Sequence, residues 1–225
     1  MPYNPRYEDK APLHHQQTGS TEDSGGYKIP AELIKDIFQR NGFNLTEEQI
    51  QRFDLYLREL KRWNKVHNLT SLEEDEQIIK RHFLDSLTLT LCIEEKGIDV
   101  KGKKVCDVGS GAGFPGVPLK IFYQDAINLT LIESVSKKCS FLEYLKVVLD
   151  IDYRVLCTRA EKVKEKFYVV VSRALGPLEE TLPLLINLSE AYIMVMKGRE
   201  PVEGFEYCYI NLPDIKGNYI LLYTL

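Results

Sequence analysis

DVGSGAGFPGVPLK, residues 107–120, sets Gly109, Gly111, Gly113 and Gly116 within eight positions, between an apolar run and a helical pattern. Such density fits a strand-to-helix turn whose backbone comes close to a ligand. The sequence around it keeps that rhythm. KKVCDV (103–108), NLTLIE (128–133), YRVLC (153–157), FYVVVS (167–172) and AYIMVM (191–196) read as five buried strands. Helical patterns fall between them near 116–123, 137–149, 159–165 and 178–188. Near-continuous β-branched runs alternating with helices imply a parallel sheet covered on both faces, with right-handed crossovers. FEYCYINL (205–212) and GNYILLYTL (217–225) supply two further strands, so the expected fold is α/β, doubly wound, with a mostly parallel seven-stranded sheet. Only about eight residues separate Met196 from Phe205, whereas a parallel crossover takes a dozen or more. The strand from Phe205 is therefore expected to pair antiparallel with its predecessor or to occupy an altered edge.

Upstream of Gly102 the pattern is helical. AELIKDIFQR places Leu33, Ile34, Ile37 and Phe38 on one face after Pro30, and Asn41-Gly42 ends the helix. Thr46 and Gln49 form a capping-box pattern, opening a helix that carries Ile50, Phe53, Leu57 and Leu60 up to Trp63. Shorter helical patterns follow near 74–80 and 84–95. Residues 1–29 are polar, Pro- and Gly-containing and poor in aliphatics, the composition of a flexible tail. His14-His15 within it reads as a solvated pair rather than a metal site. The expected division is a tail (1–29), an N-terminal helical section (30–100) and an α/β domain (101–225).

The totals exclude some classes. At 225 residues, with 44% apolar and 28% charged residues, the composition is that of a globular protein. No uncharged apolar run of about 18 residues is present, so no membrane span or membrane partner is expected, nor does the N-terminus have the apolar core of a signal peptide. Five cysteines (92, 106, 139, 157 and 208) form no CxxC pair, and their odd number reads as reduced core thiols in a cytoplasmic protein. The three Asn-Leu-Thr sequons at 44, 68 and 128 then have no glycosylation meaning. A net charge of −4 leaves room for a local basic face that binds nucleic acid.

The glycine turn can be read in two registers. From Gly111 it matches GxGxxG, with Glu133 lying 22 positions on at the end of the next strand, the place of a ribose-binding acid. That register suggests a dinucleotide, as in an NAD-linked oxidoreductase. From Asp107 it matches DxGxGxG, with a carboxylate at the strand tip. A pyrophosphate needs a helix N-terminus and bare amides, and an anion there opposes it. S-adenosylmethionine has no phosphate; its ammonium suits an aspartate, and its ribose suits Glu133. The chemistry favours the second register. A methyltransferase with a small-molecule or protein substrate, or an RNA-associated module without turnover, fits the glycines equally well.

Neighbouring stretches narrow the choice. WNKVHNLTSL (63–72), RHFLDSL (81–87), GSGAGFPG (109–116), LIESVSKKCSFLE (131–143), Arg-Ala-Glu (159–161) and VVSRALGPLEETLPLL (170–185) together resemble the RsmG (GidB) family from about Leu33 to Lys197. That resemblance implies a Rossmann-like methyltransferase fold, S-adenosylmethionine as cofactor, and methylation of guanine N7 in 16S ribosomal RNA, free or in an assembling small subunit. By matching motif it places Asp107, Gly109, Gly111 and Phe114 at the cofactor, Glu133 and Ser134 at its ribose, Ala160 and Glu161 at its adenine, and Arg173 at the methyl-transfer site. Guanine N7 carries a lone pair and no proton, so catalysis by positioning is expected, with no catalytic acid, base, nucleophile or metal.

Other residues read by their surroundings. Cys106 and Cys139 are expected to be packed residues and Trp63 a core residue. His82 is expected to hydrogen-bond Asp85, three residues on. Arg81, His82 and Lys197 are the expected RNA contacts, alongside the clusters Lys61-Arg62-Lys65-His67, Lys80-Arg81-His82, Lys137-Lys138 and Lys197-Gly-Arg199.

Overall fold

The computed structural model describes residues 29–197 and 200–225. The sequence's expected tail, with His14-His15, lies almost wholly outside them. Seven strands form one sheet in the order β3-β2-β1-β4-β5-β7-β6: β1 (Lys103–Val108), β2 (Ile127–Glu133), β3 (Arg154–Cys157), β4 (Phe167–Arg173), β5 (Ser189–Lys197), β6 (Glu206–Asn211) and β7 (Lys216–Thr224). The first five pair in parallel. β7 inserts antiparallel between β5 and β6, and β6 pairs with β7 alone at the edge. The strand after the short link, β6, does not pair with its predecessor. It runs in the same direction as β5 two positions away, and β7 turns back as an antiparallel hairpin to fill the gap between them, which gives the altered edge.

Helices α1 (Pro30–Arg40) and α2 (Glu47–His67) precede a continuous helical stretch. It runs from α3 (Asp75–Ile78) through a π-helical segment (Ile79–Leu84) into α4 (Asp85–Glu95). Between strands lie α5 (Gly116–Tyr123), α6 (Ser136–Val148) and α7 (Leu178–Leu188). The helix expected near 159–165 reduces to a single 3-10 turn, Ala160–Lys162. Val163 is the only large apolar residue between Ala160 and Lys166, so a helix there has no stripe to bury.

Strand alternation divides the core between two faces. Val105, Leu129, Leu131, Val169, Val171 and Met194 face a large cluster containing α1, α2, α4, α5 and α6. Cys106, Val108, Ile132, Val170 and Ile193 face a smaller one against Leu185 and Leu188 of α7. Thr46 and Gln49 make both halves of the capping box. The Gln49 amide then donates to the Ile121 and Phe122 carbonyls, fixing the start of α2 against the end of α5.

The thiol expectation is corrected. Cys92 is bonded to Cys208, and Cys139 to Cys157, leaving Cys106 free and buried. The partners stand 116 and 18 residues apart, so pairing arises from packing of α4 on β6 and α6 on β3, which no local spacing announces.

Candidate functional site

Two sets of polar residues meet at the carboxyl ends of β1, β2 and β4, where open α/β sheets bind ligands. The first surrounds the glycine turn. Gly109 and Ser110 amides donate to the Ile132 carbonyl at 2.9 and 3.1 Å, and those of Gly113 and Phe114 to the Ser110 carbonyl at 2.8 and 2.9 Å. The Gly111 amide donates to Glu133 Oε2 and the Gly116 amide to Asp107 Oδ2, each at 2.8 Å. Six amides of the turn are thus engaged by protein oxygens, so no bare cradle for a phosphate is left among them. The Tyr56 hydroxyl of α2 donates to the Ala112 carbonyl at 2.6 Å, tying the front helices to the turn.

Two of the glycines answer to packing. At Gly113, with φ of +104°, a Cβ would lie 2.6 Å from the Tyr56 hydroxyl; at Gly116 it would lie 2.5 Å from Leu131 Cδ2 and 2.9 Å from Asp107 Oδ2. Gly111 is different: the nearest atom to its added Cβ is 4.0 Å away, so its outer side is open. Asp107 lies beneath the turn, fully buried, with Oδ1 unpartnered among the described residues. Burial pushes its carboxyl up to about 7.

Glu133, at the tip of β2, also accepts the Ser134 and Val135 amides on Oε1, both at 2.8 Å. Ser134 is exposed beside it. The Thr158 amide donates to the Glu133 carbonyl, bringing the next loop alongside, with Ala160 half-buried and Glu161 exposed. The Cys139–Cys157 bridge fastens the same two segments.

The second set centres on Arg173, which ends β4. Its Nη1 donates to the Arg81 carbonyl at 3.1 Å and Asp85 Oδ2 at 3.4 Å, and its Nη2 to His82 Nδ1 at 3.2 Å. A guanidinium only donates, so Nδ1 accepts and the imidazole proton sits on Nε2, 2.7 Å from Thr70 Oγ1. Burial, helped by the Arg173 charge, lowers His82 to about 4 and keeps it neutral. The expected His82–Asp85 bond is not formed. The widened π-helical turn, with the Asp85 amide bonded back to the Lys80 carbonyl, rotates the two apart. Asp85 Oδ1 instead accepts from Asn218 of β7 at 3.2 Å. Burial raises the Asp85 carboxyl against the opposing effect of Arg173 and Asn218.

Phe114 joins the two sets. Its ring is buried, stacked on Tyr56 and on His82 at centroid distances of 5.3 and 4.5 Å, with the Arg173 guanidinium 5.2 Å from its centre. Thr70, Tyr56 and Asn218 escaped the sequence reading. Thr70 at least lies inside WNKVHNLTSL; nothing local marks Asn218.

The cationic clusters separate. Lys61 pairs with Asp75, Arg62 with Glu59, and Lys80 with Glu76 and Asp214. Lys65, Arg81 and Lys137 are exposed, with no ion-pair partner among the described residues. Of these, Lys65 lines a groove of about 800 Å³ that runs along residues 61–74, past Thr70. Lys197 ends β5 opposite Tyr219; its side chain and Arg199 lie outside the described residues. Trp63 is half-buried against Phe141 and Tyr144.

The family model described as rRNA small subunit methyltransferase G matches residues 49–209. The chain belongs to this family. It is 56% identical over 193 residues to ribosomal RNA small subunit methyltransferase G of Aquifex aeolicus, covering 84% of this chain and 98% of the relative. A second relative of the same name, from Caldanaerobacter subterraneus subsp. tengcongensis, is 36% identical over 78% of this chain and 74% of its own length. Among solved structures, magnesium protoporphyrin IX methyltransferase from Synechocystis PCC 6803, crystallised with bound SAM, matches with a TM-score of 0.54. It is 16% identical over 80% of this chain and 98% of the other, which establishes the fold that the family shares.

Proposed function

We propose that this chain transfers a methyl group from S-adenosylmethionine to N7 of a guanine in 16S ribosomal RNA, acting in the cytoplasm on the RNA or an assembling small subunit. One observation carries the cofactor reading. The turn after β1 engages its amides internally and sets the Glu133 carboxylate beside them, with Asp107 buried beneath. An acceptor carboxylate with no bare amides beside it suits a cationic, phosphate-free cofactor bearing hydroxyl donors and opposes a pyrophosphate. Family membership supports the ribosomal substrate. The two disulfides depart from the usual cytosolic pattern.

When bound, S-adenosylmethionine supplies a methyl group on a cationic sulfur. Gly109, Gly111, Glu133, Ser134, Ala160 and Glu161 border the place where it would lie, while Asp107 and Phe114 shape that place from beneath. Guanine N7 has no proton to lose, so these residues work by holding the reactants in line and excluding water. Neutral His82 and its bond to Thr70 keep Arg173 aimed along the edge. Arg81, Lys197 and Lys65 are the proposed phosphate contacts. The direct test supplies purified protein with labelled cofactor and small-subunit RNA and maps the label. Transfer to a guanine N7 is expected; transfer to another atom overturns the assignment, and binding of NAD without S-adenosylmethionine overturns the class.

A further inference from the structure

A small cavity of about 200 Å³ opens at the carboxyl end of β4, lined by Asp85, Thr88, Arg173, Met196, Asn218 and Tyr219. Pockets for drug-sized ligands begin near roughly 300 Å³, so this one is the size of a single ring system. Its walls carry a carboxylate, a guanidinium and a carboxamide, with Met196 and Tyr219 as apolar sides. The Asp85 bonds to Asn218 and Arg173, at 3.2 and 3.4 Å, are long beside the roughly 2.7–2.9 Å of tight charge-assisted pairs. Each carboxylate oxygen keeps a second lone pair.

We propose that this cavity receives the target guanine and that Asp85, held by Asn218, reads its N1–H and 2-amino edge. The proposal rests on the methyltransferase reading above. Guanine presents two adjacent donors on that edge, matching an acceptor-only carboxylate, and O6 accepts from a donor such as Arg173. Adenine presents a lone pair at N1 and lacks the 2-amino group, so Asp85 repels it. The N7 atom lies on the other side of the ring system from N1 and the 2-amino group. A guanine gripped by Asp85 therefore turns N7 toward Arg173 and Phe114, the side that borders the glycine turn. Alkylation at N7 leaves positive charge on the base and makes N1–H a stronger donor. The same carboxylate then holds the product-like form more strongly than the neutral base.

The test compares the full chain with its Asp85→Asn and Asn218→Ala variants on small-subunit RNA carrying guanosine or inosine at the mapped target. Inosine differs only in lacking the 2-amino group. Wild type should prefer guanosine by about tenfold or more in kcat/KM, the scale of one charged hydrogen bond. Asp85→Asn should bring that ratio close to one while cofactor affinity, read by calorimetry, stays unchanged. Asn218→Ala should lower the ratio part-way, and decides the matter if Asp85→Asn no longer binds cofactor. An unaltered ratio in a variant that binds cofactor normally overturns the proposal, since Asp85 would then only position Arg173. Equal use of guanosine and inosine by wild type also overturns it. Failure of wild type to methylate either RNA is a separate result and defeats the parent reading.

Discussion

On the β1–β2 side of the carboxyl edge, side chains are held by main chain. Asp107 takes the Gly116 amide, and Glu133 takes those of Gly111, Ser134 and Val135. On the β4–β7 side, side chains hold one another: Thr70 to His82, His82 to Arg173, Arg173 to Asp85, and Asp85 to Asn218. The first arrangement is rigid and local, needing one strand, one turn and the next strand tip. The second is assembled from four separate stretches of chain and fails if any one is displaced. A fixed cofactor and a selected substrate are the tasks these two constructions suit.

The contrast is sharpest at Arg173. Arg173→Ala should lower methyl transfer to RNA about a thousandfold and leave cofactor affinity within a few-fold. Arg173→Lys should not rescue it, because one ammonium cannot meet Arg81, His82 and Asp85 together. Comparable losses of both activities would mean that the two sides act as one. Glu133→Ala should have the reverse signature, with cofactor affinity about a hundredfold weaker by calorimetry. Gly116→Ala should destabilise the fold by about 2 kcal/mol in chemical denaturation, because its methyl meets Leu131 and Asp107. A neutral result would show that the turn yields more readily than its packing implies.

The smallest effect concerns pH. Asp107 has a folded value of about 7 against an ordinary 3.8, so the folded state binds more protons between those values. Its contribution to stability is therefore greatest at low pH and declines as pH rises from about 4 to about 7. His82, lowered from 6.5 to about 4, works in the opposite sense: its burial costs most below pH 4, and stability recovers as pH rises toward 6.5. The two partly cancel in wild type. Asp107→Asn should remove the declining part, so its stability relative to wild type should rise between pH 5 and pH 8. A constant difference across that range would mean that Asp107 stays ionised.

What was legible follows the same division. The turn, its strands and Glu133 could be read because each contact spans a short, patterned stretch. The capping box at Thr46 was legible for the same reason. Asp107 was seen in place but assigned to the open cleft, since a motif gives a residue's position along the chain and not the depth of its side chain. The His82–Asp85 pairing failed because helical spacing assumes an α-helix, and a π-helical turn changes which neighbours meet. Asn218 and the Cys92–Cys208 bridge were invisible because they depend on how β7 and β6 enter the sheet, and the Cys139–Cys157 bridge because it depends on α6 packing against β3.

That Cys139–Cys157 bridge has a mechanical consequence. It joins the first turn of α6 to the end of β3, so the segment after Glu133 and the segment before Ala160 move as a single bracket. The ribose and adenine sides of the proposed cofactor cleft cannot open independently like two leaves of a door. Entry and exit are then left to the opposite jamb, where the side chains of Arg173 and His82 meet the front helices.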